Sequence, residues 1–112
     1  MEMKPLEVYS EDSNYSIVRM PDRNFPGCVV QGDSLSIMCR NAKRVAARIK
    51  EMGVGDEELL GEVEDLHQSL LDRLLHYQQV LQQHGLNLPY YPAVSREDFV
   101  RLLPEGKDDT ER

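Results

Sequence analysis

The chain has 112 residues, 40% of them apolar and 29% charged, with a net charge of −7. That length suits one hydrophobic core, and no apolar run approaches the roughly 18 residues of a membrane span. So acidic a balance repels phosphate backbones, which argues against nucleic acid as a direct ligand and for a basic protein partner.

The charge is placed unevenly. Residues 1–53 carry eight Lys/Arg against seven Asp/Glu, and residues 54–112 carry five against thirteen. The N-terminal stretch has no apolar signal core, and the two cysteines, Cys28 and Cys39, fit a reducing compartment. A cytoplasmic protein with both cysteines as thiols is the expectation, and membrane association is not.

In chain order, Leu6, Val8 and Ser10 alternate with Glu7 and Tyr9, which predicts a first strand. Glu11-Asp12-Ser13-Asn14 is turn-forming, because these short polar side chains bond their own backbone. Tyr15–Met20 reads as a second strand and Cys28–Gln31 as a third, joined by Asp22-Arg23-Asn24-Phe25-Pro26-Gly27. Three short strands in this order predict an antiparallel meander with one face on the helices. In the connecting loop Phe25 serves either as a plug for the sheet edge or, with Arg23, as a binding anchor.

Gly32 breaks the third strand, and Asp33 or Ser34 suits the N-cap of a helix running to Met52. Leu35, Met38, Ala42, Val45, Ile49 and Met52 recur there at spacings of three and four, an apolar seam. Gly53 suits the position after the helix end, and Asp56 suits the next N-cap. From Asp56 to His84 no proline interrupts a second, longer helix. Leu59, Val63, Leu66, Leu70, Leu74, Tyr77 and Leu81 form its central stripe, widened on one side by Leu60, His67, Leu71, Leu75 and Gln78. The two helices make an αα-hairpin. Beyond Gly85 the proline-bounded Leu86–Pro92 stretch reads as extended. Ser95-Arg96-Glu97-Asp98 resembles a capping box opening a short helix over Arg96–Leu103. The whole reads as one α+β domain over residues 1–104: a three-stranded antiparallel sheet packed on a long αα-hairpin, with a short C-terminal helix. Residues 105–112 read as a disordered acidic tail.

Chemistry-bearing constellations are few. Glu64-x-x-His67 has the spacing of a di-iron half-site, but such a site needs two of these motifs and two further glutamates. A boundary histidine near the hairpin interface is the simpler reading. No sequence context marks an activated nucleophile, and no cofactor or metal is expected. The acidic group Asp56, Glu57, Glu58, Glu62, Glu64 and Asp65 sits where the helix dipole favours negative charge. It is answered either by Arg44, Arg48 and Lys50 of the first helix or by a basic partner.

The run Asn14–Pro21, then Arg23-x-Phe25-Pro26-Gly27-Cys28-Val29-Val30-Gln31-Gly32-Asp33-Ser34-Leu35, resembles a family of short uncharacterised bacterial proteins. Their shared core is strand, Arg-x-Phe-Pro-Gly, strand, Gln-Gly-Asp-Ser/Thr-Leu, helix. The resemblance is strong over roughly the first half of the chain and brings no assigned active site. In size and acidity the chain is also similar to bacterial toxin-immunity proteins. Together these readings lead to a non-enzymatic antagonist of a basic toxin, such as a nuclease. Its contacts are Glu57, Glu58, Glu62, Asp65 and Asp72, with Arg23 and Phe25 as a second patch. The alternative is a homodimeric scaffold joined through Leu71, Leu75, Val80 and Leu81 of the long helix. A third reading is a small enzyme or metal protein using Glu64 and His67.

Overall fold

The computed structural model describes residues 1–104, so the acidic tail expected at 105–112 lies outside the described residues. The architecture is α+β. Strands β1 (Glu7–Ser10), β2 (Ile17–Arg19) and β3 (Gly27–Cys28) form an antiparallel sheet in the order β1-β2-β3. Helices α1 (Gly32–Met52) and α2 (Glu57–Gln83) pack as a hairpin.

The meander follows from its turns. A 3₁₀ turn over Ser13–Tyr15 reverses the chain between β1 and β2, with the Tyr15 N–H donating to the Asp12 carbonyl at 2.7 Å. Val8 pairs with Val18 and Ser10 with Ile17, leaving an irregularity between Val8 and Ser10. Glu7 pairs with Arg19 across the sheet, and their side chains form an ion pair. The strands are shorter than the sequence pattern suggests, and their apolar side chains stay largely in solvent: Leu6, Val8, Tyr9, Met20 and Phe25 are all exposed. Strands of two to four residues offer at most two side chains per face, too few to cover a helix pair.

The hairpin holds the core. Asp56 caps α2 as expected, its Oδ1 accepting from the Glu58 and Leu59 N–H groups at 3.1 and 3.3 Å. Gly53 ends α1 in the left-handed region, where a side chain would be strained. At the start of α1 it is Gln31 that takes the N-cap position, with no side-chain cap bond. Gly32 lets the start of α1 lie against α2, since a Cβ there would stand 2.1 Å from the Tyr77 ring. The interhelical core is Leu35, Cys39, Ala42 and Ala46 of α1 against Leu60, Leu71 and Leu74 of α2.

The third layer is the C-terminal segment, laid across one side of the hairpin. The expected helix over Arg96–Leu103 is instead a single 3₁₀ turn, Arg96–Asp98. Its capping box forms: Ser95 N–H donates to Asp98 Oδ2 at 2.8 Å, and Glu97 N–H to Ser95 Oγ at 3.3 Å. The helix does not propagate because the Leu102 and Leu103 N–H groups donate to Glu64 Oε2 of α2, at 2.6 and 2.8 Å. A helix would have needed those two amides for its own carbonyls, and Pro104 further disfavours helical backbone at Leu103.

Candidate functional site

The acidic face of α2 is where the sequence pattern places it. Glu57, Glu58, Glu62, Asp65 and Asp72 are all exposed. Among the described residues no ion pair reaches Glu58 or Glu62, although α1 carries Arg44, Arg48 and Lys50 in the same hairpin. Arg44 instead donates to the Asn41 side chain at 3.3 Å. Asp72, farther along the helix, accepts from Gln68 Nε2 at 2.8 Å and pairs with Arg96 at 3.3 Å. Its charge is therefore partly answered within the chain, and His76, one turn on, is not its partner.

The second expected patch is also exposed. The Arg23 carbonyl accepts from Arg19 Nη1 at 2.9 Å, which ties the loop to β2. Phe25 projects with 82% of its surface exposed, so it does not plug the sheet edge. A shallow depression lined by Val18, Met20, Arg23, Asn24 and Phe25 lies beside it.

Glu64 and His67 are not on the surface at all. Glu64 is buried and spends one carboxylate oxygen on the two backbone amides described above. His67 is fully buried, stacked on Phe99 with ring centroids 5.5 Å apart, and neither ring nitrogen has a hydrogen-bond partner. Burial, reinforced by the nearby Lys43 charge, holds its pKa below the ordinary histidine value. The neutral ring is the form this site accommodates. Among the described residues no cluster of three or more His, Cys, Asp or Glu is placed to hold a metal ion.

Sequence reasoning missed a cavity of about 240 Å³ between α1 and the C-terminal segment. Ser36, Cys39 and Lys43 line it from α1, His67 from α2, and Tyr90, Val94 and Asp98 from the covering segment. Lys43 Nζ pairs with Asp98 Oδ1 at 2.7 Å, and this bond is the main reason the Asp98 carboxyl lies below the usual aspartate value. Gln78 fixes the segment by three bonds: it accepts from Tyr90 Oη and Val94 N–H and donates to the Val94 carbonyl, all between 2.8 and 2.9 Å. Burial pushes the Tyr90 phenol up to about 12 and raises the Cys39 thiol. A thiol kept protonated by an apolar wall is a poor nucleophile, so the Cys39–His67 neighbourhood lacks the activation that covalent catalysis needs. The cavity depends on contacts some fifty residues apart in sequence, which no local pattern signals.

The seam expected for a homodimer divides in the same way. Leu71 is fully buried in the chain's own core, and Leu75 packs against that core. Val80 and Leu81 line an apolar depression on the opposite side of the hairpin, with Met38, Leu70 and Tyr77.

A family model matches residues 1–90, most of the chain. The chain belongs to DUF6959, a family of unknown function. The DUF6959 match takes in the meander, the Arg23–Phe25 loop and the whole acidic face of α2. It stops at Tyr90, before the Asp98 and Phe99 side chains that close the cavity. No curated protein and no solved structure matches the chain. No helix is long and apolar enough to cross a membrane among the described residues.

Proposed function

We propose that this DUF6959 member is a non-enzymatic binding protein, an immunity-type antagonist that occupies and neutralises a basic toxin domain such as a nuclease. The observation that carries this reading is the exposed acidic row at the start of α2. Glu57, Glu58, Glu62 and Asp65 stand exposed within three turns, and α1's cations form no ion pair with Glu58 or Glu62 among the described residues. A rigid helix presenting carboxylates at this density offers a basic, phosphate-binding surface a charge pattern like that of its own substrate. Arg23 and Phe25 supply a second contact on the meander loop, the aromatic ring being the kind of anchor that buries well at an interface. Asp72, held by Arg96, contributes less.

The test is a low-salt pull-down from the native cell lysate with a salt-gradient elution, run beside a variant carrying Glu57→Lys, Glu58→Lys and Asp65→Lys. The expected result is a single basic protein released by salt from the natural chain and not retained by the variant. Equal retention by both, with no dependence on salt, would remove the antagonist reading.

A further inference from the structure

The C-terminal segment covers only one side of the hairpin. The other side is mainly apolar, and Met38, Val45, Met52, Leu59 and Leu66 are exposed on it. Met38, Val45, Ile49 and Met52 of α1 lie on it, beside Leu59, Val63, Leu66, Leu70, Tyr77 and Leu81 of α2. Met38 and Leu70, Tyr77 and Leu81 line one depression on this side, so the two helices' stripes belong to a single face. Val45 is 51% exposed, Met52 69% and Leu66 59%. The α1 stripe carries no charged residue, and on α2 Arg73, between Leu70 and Tyr77, borders the depression with its guanidinium bonded to Ser69. These are the two seams that spacings of three and four mark in the sequence, and each continues for most of its helix.

We propose that a second copy of this chain docks on this face, giving a two-fold symmetric four-helix bundle. The size is adequate. Two helices about 10 Å apart and about 30 Å long present roughly 600 Å² before side-chain relief is counted, close to the about 800 Å² per partner of a stable interface.

The charges at the edges select both the partner and the arrangement. Arg48 lies three residues after Val45 and four before Met52, so it borders the seam on α1. Glu62 lies three after Leu59 and four before Leu66, so it borders the seam on α2. Each sits one to two turns from the α1–α2 connection, and neither has an ion pair among the described residues. Two ways of stacking such faces keep two-fold symmetry. With the axis across the helices, α1 lies on α1 and α2 on α2, so Arg48 and Glu62 of the partner subunit stand on different helix pairs. With the axis along the helices, α1 of each copy lies on α2 of the other, and Arg48 meets Glu62 of the partner subunit at the same level. Only the second arrangement brings these opposite charges together, and it is favoured for that reason. One face therefore carries both halves of its own complement. Glu58 lies farther round α2, outside the seam, and remains available to the basic partner proposed above.

Sedimentation equilibrium of the full chain, from about 1 to 100 μM, tests this. The natural chain is expected to sediment as a dimer, and Leu66→Glu as a monomer with its helical circular dichroism retained. Val45→Glu repeats the test on α1 should Leu66→Glu fail to fold. Arg48→Glu and Glu62→Arg are each expected to weaken the dimer by about tenfold, and the two together to restore it, as for a close charge pair. A natural chain that is monomeric at 100 μM, or a dimer indifferent to both seam substitutions, overturns the proposal. A pair of reversals that adds rather than compensates overturns the α1-on-α2 arrangement. None of these readings depends on a toxin, so failure here leaves the pull-down result standing, and the reverse holds.

Discussion

On one side of α2, Leu71, Leu74 and His67 are fully buried, while on the other Leu66 keeps 59% of its surface in solvent and Leu59 40%. Both sides are leucine-rich and both repeat at helical spacing. The difference lies in what covers them: Tyr90, Val94 and Phe99 pack over the first, anchored by Gln78, Glu64 and Lys43, and nothing described packs over the second. Burial on a helix is thus decided by the neighbour. The covered side also admits a histidine and a glutamate, because the covering segment brings a ring for one and two amides for the other. The open side, which has no such partner within the chain, is mainly apolar, with Arg73 and His76 beside Leu70 and Tyr77. A mainly apolar face suits a partner that arrives after folding and offers more of the same.

The largest expected effect comes from cutting into the covered side. Leu71→Ala leaves a cavity in a well-packed site and is expected to cost about 2–5 kcal/mol of folding stability. Leu66→Ala, measured at sub-micromolar concentration, is expected to cost less than about 1 kcal/mol, because a half-exposed side chain loses little on truncation. Urea unfolding of both variants reads the contrast. Equal losses would mean that the open side is covered after all.

Next comes the anchor. Glu64→Ala strands the Leu102 and Leu103 amides, each of which donates to Glu64 Oε2. Leaving half-buried donors unsatisfied is expected to cost about 1–3 kcal/mol. Hydrogen exchange should show those two amides losing protection while the α2 backbone near Leu74 keeps its own. Protection that stays unchanged would show that the segment is held by Gln78 and Phe99 alone.

The sequence pattern was a good guide to the hairpin and a poor guide to which way it faces. The limits of α2, the Asp56 cap, Gly53 and the Ser95–Asp98 capping box are local, and each is found where local chemistry places it, whereas α1 starts at Gly32, ahead of the Asp33 or Ser34 cap the sequence suggests. The central stripe expected to be buried in α2 shares only Leu74 with the fully or nearly buried set, which runs instead through Leu60, Glu64, His67 and Leu71. A helix with apolar residues on two flanks has a period but no unique inside, and the deciding contacts come from residues 90–103. Glu64 looks like a surface residue because a charged side chain usually is, and His67, on the flank of the stripe, looks like a boundary one. Only the Leu102 and Leu103 amides and the Phe99 ring reverse that, and neither is within reach of a local pattern. The acidic face was legible because exposed charge needs no partner to be recognised.

His67 makes the comparison depend on pH. Its ring stays neutral in the fold because burial holds its pKa below the ordinary 6.5. The unfolded chain therefore binds a proton that the folded chain does not, and stability falls as pH drops below 6.5, by up to about 1.4 kcal/mol per pH unit until the folded pKa is reached. Asp98 acts lower down: its carboxyl is held below 3.8, so its contribution is lost only as pH falls through that depressed value. Thermal or urea unfolding between pH 7 and 5 should show the histidine's slope, and His67→Phe should flatten it while leaving the deeper acid limb. A slope that survives the substitution would have to come from another group.

The smallest effect is expected at the rim of the cavity. Lys43 and Asp98 pair at 2.7 Å, but the side chains remain 44% and 31% exposed. Such pairs contribute little, so Lys43→Met is expected to change stability by less than about 1 kcal/mol. Its signature is electrostatic. The lysine lowers the pKa of both Asp98, through their hydrogen bond, and His67, through its charge, so its removal should raise both in the same variant. NMR titration can follow the two together. A rise at Asp98 alone would mean that Lys43 is screened from the buried ring. The covered side would then be governed by burial alone, with its rim charges acting only on each other.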